Sequence, residues 1–127
     1  MQFNTQKPIY MQIADHITDQ ILSGNWADGT RIPSVRDMAV EMEVNPNTVA
    51  RTYAWLQDQE IISMQRGIGY FTDEQASQKA RVMRKQEFIR DWVPELIRNM
   101  RLIHMSIEEF NDLYAAYQQG GHVHENE

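Results

Sequence analysis

Ile9, Ile13, Ile17 and Ile21 recur every four residues near the start of the chain, with Tyr10, Ala14 and Leu22 beside them. This spacing draws an apolar stripe along one side of a helix and predicts an element from about Pro8 to Ser23 with one face in a core. Pro8 suits the first turn, where its missing N–H is not needed, and Gly24 suits a left-handed closure of the helix. The segment Asn25-Trp26-Ala27-Asp28-Gly29-Thr30 reads as a loop. A second stripe, Val35, Met38, Ala39 and Met42, follows Ser34, whose hydroxyl can cap free backbone N–H groups, with Asp37 completing an S-x-x-D capping box.

That second helix ends near Glu43-Val44, and Asn45-Pro46-Asn47-Thr48 follows at once. Asn at a cap and Pro at the first helical position signal a third helix, from Pro46 to about Gln59. Two helices joined so tightly, the second opening with small polar side chains, form a helix-turn-helix pattern. Beyond Glu60, the runs Ile61-Ile62-Ser63-Met64 and Tyr70-Phe71-Thr72 flank Gln65-Arg66-Gly67-Ile68-Gly69 and read as a β-hairpin, the wing of such a domain.

Residues 73–79 are polar and mark a change of composition. Ala80, Met83, Phe88, Trp92, Leu96, Ile97 and Met100 then point to one long helix or two consecutive ones, Pro94 either kinking the first or opening the second. A last helix starts at Ser106, which makes a capping box with Glu109; Ile107, Phe110, Leu113, Tyr114 and Tyr117 supply its apolar face, and Gly120-Gly121 ends it. The expected fold is mainly α with a small β-hairpin: a winged helix-turn-helix followed by a short helical region. The tail from His122 to Glu127 is expected to be disordered.

Charge complicates this picture. The 127 residues carry a formal net charge of −6, and over residues 1–72 Lys7, Arg31, Arg36, Arg51 and Arg66 face eight carboxylates. Such a balance repels a polyphosphate at long range, so the placement of the cations decides whether DNA is a partner. Four of the five lie on the helix-turn-helix and wing, whereas Asp15, Asp19 and Asp28 fall elsewhere. The absence of cysteine excludes disulfides, thiolate metal sites and a cysteine nucleophile. No apolar run approaches the roughly 20 residues of a membrane span, and Met1-Gln2-Phe3-Asn4 begins no basic leader, so a cytoplasmic protein is expected.

Four segments occur in the order and spacing of the GntR regulators: Pro8-Ile9-Tyr10-Met11-Gln12-Ile13, Arg31-Ile32-Pro33-Ser34-Val35-Arg36, Val44-Asn45-Pro46-Asn47-Thr48-Val49 and Gly67-Ile68-Gly69-Tyr70-Phe71. Over about residues 8–72 the chain resembles that family. The resemblance implies a winged helix-turn-helix that binds pseudo-palindromic operators as a dimer. The remainder is too short for the effector domains of the family's larger branches. It is similar instead to the YtrA branch, whose short helical tail serves dimerisation and whose members often repress transporter operons. On this reading residues 1–72 bind DNA, 73–121 dimerise and 122–127 form the tail. The sequence departs from the family pattern at Ile32, commonly leucine, and at Glu43, commonly glycine.

A recognition helix presents its first residues to base edges in the major groove, which makes Asn45, Asn47, Thr48 and Arg51 candidates, with Ser34 and Pro46 on the same surface. Asn45 is read equally as a cap and as a DNA contact. The resemblance places Arg36 against the backbone or a guanine, with Arg31 at the edge of that surface. Arg66 and Gly67 at the wing tip suit the minor groove or a phosphate. The expected dimer contacts are Phe88, Trp92, Leu96, Met100, Phe110, Leu113, Tyr114 and Tyr117.

Two other readings remain open from sequence: a small-molecule effector held by Trp92, His104, Tyr114 or Tyr117, and a winged helix that binds protein instead of DNA. Catalysis is not expected, since His104, His122 and His124 have no metal-ligand spacing on a rigid element and no nucleophile–base pair stands out. Neither cofactor nor metal is expected.

Overall fold

The computed structural model describes residues 7–120, and the tail expected at 122–127 lies outside the described residues. The elements run α1 (Ile9–Leu22), α2 (Val35–Met42), α3 (Pro46–Asp58), β1 (Ile62–Gln65), β2 (Gly69–Thr72), α4 (Ala76–Asp91), α5 (Val93–Leu102) and α6 (Ile107–Gln118). The chain divides into two units, one ending at Gln86 and the other starting at Glu87.

In the first unit the four-residue spacing of α1 buries Ile13, Ile17 and Ile21 against Met38 and Ala39 of α2, Val49, Tyr53 and Leu56 of α3, and Ile61 and Ile62. Each buried isoleucine contributes about 1.5–3 kcal/mol. Ile9, expected on the same stripe, is 54% exposed, because it sits in the first turn, where the stripe has run past the core. Pro8 stands one position before the helix, with extended backbone and its carbonyl accepting from the Gln12 N–H at 3.1 Å. Gly24 closes α1 at φ +88°, as the sequence predicts.

The turn between α2 and α3 is built by backbone geometry. Ser34 Oγ accepts from the Asp37 N–H and starts α2. At its end Glu43 is left-handed, with φ 58° and ψ 47°. The Val44 N–H bonds to the Ala39 carbonyl at 3.0 Å and the Glu43 N–H to the Val40 carbonyl at 3.2 Å, the pairing of a Schellman closure. Asn45 Oδ1 then accepts from the Asn47 N–H at 2.7 Å and opens α3, with Pro46 in its first turn. Glu60 and His104, both at positive φ, follow the ends of α3 and α5 in the same way.

β1 and β2 are antiparallel, pairing Ile62 with Thr72 through Gln65 with Gly69. The loop read at 25–30 ends in a third pairing: the Thr72 N–H donates to the Thr30 carbonyl and the Ile32 N–H to the Tyr70 carbonyl, each at 2.9 Å, with Arg31 bridged to Phe71. The buried Thr72 hydroxyl donates to the Ala27 carbonyl at 2.8 Å and accepts from the Thr30 N–H at 3.0 Å, so the loop is tied to the wing.

The packed unit does not stop at residue 72 with the hairpin. α4 starts within the polar segment, and its Ala76 and Ala80, one turn apart, are fully buried in the same core. Asp28 anchors its first turn, accepting from the Ser77 N–H at 3.0 Å and the Ser77 hydroxyl at 2.8 Å. Arg84 reaches α1 through the Thr18 hydroxyl at 2.7 Å and Asp19 at 2.8 Å. Just before the helix, Asp73 accepts from the Gln75 N–H at 2.8 Å and pairs with Lys79 at 3.2 Å; these hold its carboxyl below the usual range.

In the second unit Pro94 opens a new helix: α4 ends at Asp91, Trp92 interrupts, and α5 begins at Val93 with the proline in its first turn. The Phe88 and Trp92 rings stack at 6.0 Å. Ser106 and Glu109 form the reciprocal capping box at the start of α6, and Gly120 follows its end at φ +88°. No residue of α5 or α6 is buried.

Candidate nucleic-acid interface

Burial phases α3. Val49, Thr52, Tyr53 and Leu56 face the core, which leaves Asn47, Ala50, Arg51 and Ala54 along the exposed side, with Thr48 half-buried at the edge. Asn47 and Arg51 stand one turn apart and share that face. Ala50 and Ala54 were not singled out from sequence. They share that exposed face, and side chains so small would let a helix backbone approach a groove closely. The 3-4 spacing from Asn47 was the signal that could have found them.

Tyr53 fixes the tilt of α3. Its hydroxyl donates to the Pro33 carbonyl at 2.7 Å, and its ring meets the Tyr70 ring edge-on at 4.8 Å. Burial pushes the hydroxyl well above the usual tyrosine range, so it stays protonated and donating. One side chain thus ties the recognition helix to the segment before α2 and to the wing.

Asn45 is a cap in this structure, and Ser34 likewise caps α2; Pro46 is exposed beside Asn45. Arg36 is exposed in the first turn of α2, where the helix dipole disfavours a cation, so helix stability does not explain it. Arg31 joins the wing rather than α2: a Cβ built on Gly69 would lie 3.1 Å from its Nε. Arg66 and Gly67 are exposed at the hairpin turn, with Gly67 at φ +77°. Arg51 stacks over the Tyr10 ring, its Cζ 4.0 Å from the centroid, a partner that sequence reading did not assign to it.

Charge pairing separates the cations of this unit. Lys7 is paired with Asp15 at 2.7 Å, Arg84 with Asp19, and Lys79 with Asp73 and Glu60. Among the described residues Arg31, Arg36, Arg51 and Arg66 make no ion pair, nor do Arg81 and Lys85 on α4. The acids Asp15, Asp19 and Asp28 are occupied by Lys7, Arg84 and Ser77.

The residues expected at a dimer contact are all accessible. Phe88, Leu113, Tyr114 and Tyr117 are exposed, while Trp92, Leu96, Met100 and Phe110 are half-buried. Of the side chains considered for an effector, His104 lines an open depression of about 410 Å³ with Ile103, Met105, Glu109, Asp112 and Leu113. Trp92 stacks on Phe88, and Tyr114 and Tyr117 lie exposed on α6. Among the described residues no cluster of His, Asp or Glu is placed to hold a metal ion, and no helix is long and apolar enough to cross a membrane.

Residues 9–71 match the bacterial regulatory proteins of the gntR family. The chain is 33% identical over 120 residues to the HTH-type transcriptional regulator YhcF of Bacillus subtilis (strain 168), covering 94% of this chain and 98% of YhcF. To the HTH-type transcriptional repressor YtrA of the same organism it is 31% identical over 105 residues, covering 83% and 80%. The crystal structure of a GntR-family protein from Bacteroides thetaiotaomicron is similar over 88% of this chain and 97% of its own, with a TM-score of 0.74 and 41% identity. These relatives are regulators and not enzymes, as the sequence predicts. The chain belongs to the GntR family, with YtrA-type relatives, and is a DNA-binding transcription regulator.

Proposed function

We propose that the chain is a homodimeric cytoplasmic repressor that reads an inverted-repeat operator and controls a transporter-type operon. The observation that carries the DNA-reading part is the distribution of unpaired charge. Arg31, Arg36, Arg51 and Arg66 are exposed on the helix-turn-helix and wing without an ion pair, while Asp15, Asp19 and Asp28 are occupied by Lys7, Arg84 and Ser77. A local field of this kind overrules a net charge of −6 at contact distance.

In this reading α3 enters the major groove with Asn47 and Arg51 toward base edges, Asn for adenine and Arg for guanine. Arg36 meets phosphate or a guanine from α2. Arg31 and Arg66 follow the wing to the neighbouring minor groove or backbone, Gly67 allowing close approach. Thr48 borders the same face. Asn45 and Pro46 set the start of the helix, and Ser34 sets the start of α2.

Dimerisation is supported by α5 and α6, which bury no residue and expose Ile97, Leu113, Tyr114 and Tyr117. A second copy would cover such a surface, and a two-fold dimer matches an inverted repeat. Repression follows the similarity to YtrA, a repressor. The transporter-type operon is what the resemblance to its branch implies.

The test is selection from a pool of random duplexes, with sequencing of the bound DNA and sedimentation of the protein at micromolar concentration. An enriched inverted repeat bound by a dimer is the expected result. A monomer that enriches no sequence at low salt overturns the proposal.

A further inference from the structure

Arg51 and Tyr10 sit far apart in sequence, yet two contacts join their positions. The Arg51 guanidinium lies over the Tyr10 ring at 4.0 Å, and the neighbouring Thr52 hydroxyl, on a fully buried side chain, donates to the Tyr10 carbonyl at 2.7 Å. The second contact fixes the backbone that carries the ring against α3. The first then places a π face beneath a cation that makes no ion pair among the described residues. The Tyr10 ring is half-buried while Arg51 is exposed, so the anchored partner is the ring and the mobile one is the guanidinium.

An unsupported arginine on a helix surface samples many rotamers and loses that freedom when it binds a base. A planar guanidinium stacked on an aromatic face keeps its N–H fork in a restricted set of orientations, with its edge open to a bidentate acceptor such as guanine O6 and N7. We propose that Tyr10 is a positioning residue for sequence reading: it holds the Arg51 fork for one base pair of the operator half-site. This rests on the reading of α3 as the element that enters the major groove. Tyr10 need not touch DNA to act; it acts through Arg51.

The experiment uses the full chain and the duplex that the wild type selects from a random pool. Dissociation constants are measured for that duplex and for a set carrying each single base-pair change, over a range of salt. The variants are Tyr10→Leu, Tyr10→Met, Tyr10→Phe, Arg51→Ala and the double variant Tyr10→Leu/Arg51→Ala. Tyr10→Leu and Tyr10→Met, which fill space without a π face, are expected to weaken binding about fivefold, the scale of an exposed cation–π contact. Discrimination should collapse only at the base pair where Arg51→Ala also loses it. Tyr10→Phe should retain both affinity and discrimination. On the Arg51→Ala background Tyr10→Leu should have no further effect.

A uniform loss across all duplexes that adds to the effect of Arg51→Ala would mean that the ring merely supports α1, and would overturn the proposal. Tighter binding by Tyr10→Leu, which would make the ring a sequestering partner, also overturns it, as does equal loss in Tyr10→Phe. Failure of the underlying reading shows separately: the wild type then selects no duplex, or Arg51→Ala changes discrimination at no position.

Discussion

Glu43 offers a test in which backbone strain and charge can be separated. It occupies the left-handed region at φ 58° and ψ 47° between the two helices that form the DNA-reading motif, and its side chain is exposed. An L residue in that conformation costs about 1–2 kcal/mol, whereas glycine adopts it freely but loses about 0.5–1 kcal/mol more backbone entropy on folding. Glu43→Gly should therefore stabilise the chain by a net ~0.5–1 kcal/mol, since the Val44–Ala39 and Glu43–Val40 backbone bonds need no side chain. For a unit of this size the gain corresponds to a rise in Tm of about 2–8 °C, read by calorimetry at fixed protomer concentration. Glu43→Gln keeps the strain and removes only the charge. Its Tm should stay within about 1 °C of wild type, while both variants bind DNA a few-fold more tightly at low salt, converging as salt rises. An unchanged or lower Tm for Glu43→Gly refutes the strain argument. An equal rise in Glu43→Gln assigns the effect to charge instead.

Other consequences are equally direct. Tyr53→Phe removes the donor to the Pro33 carbonyl and should cost about 1–2 kcal/mol by denaturant titration, with the ring pair to Tyr70 retained; no loss would mean that the bond contributes nothing. The Asp73 carboxyl is held below its unfolded value of about 3.9, so its contribution is complete above that pH and disappears as pH falls through the folded value. An acid-unfolding curve of Asp73→Asn should lack this limb, and a curve superimposable on wild type would contradict the assignment. Leu113→Glu with Tyr114→Glu charges the open face of α6 and should shift sedimentation toward monomer without lowering helicity; an unchanged dimer would place the interface elsewhere.

The first three helices were legible because their signals are local. Ser34, Asn45 and Pro46 mark helix starts by their own chemistry, and the isoleucines of α1 repeat with the period of the helix. The end of the packed unit was not legible. Ala76 and Ala80 carry little hydrophobic signal among polar neighbours, yet their small size lets α4 pack against the core. The sequence puts Arg31 at the edge of the Arg36 surface, and only the pairing of Thr30 and Ile32 with β2 shows that it lies over Gly69 on the wing. The Arg51–Tyr10 stack joins residues whose proximity only the packing of α1 on α3 creates. In the second unit the apolar pattern was plain, but a pattern states which face seeks cover and not what covers it.

Whether Arg31, Arg36, Arg51 and Arg66 together contact DNA is decided by the salt dependence of binding. On the selected duplex a homodimer setting Arg31, Arg36 and Arg66 against phosphate, with Arg51 on a base edge, would approach a slope of about −5 in log affinity against log salt, at about 0.9 per neutralised phosphate. The slope should be steep for wild type and about two units shallower for Arg66→Ala. A variant with all four changed to alanine should show no specific binding while remaining folded and dimeric. Specific binding that survives in the fourfold variant with the wild-type slope would contradict that contact.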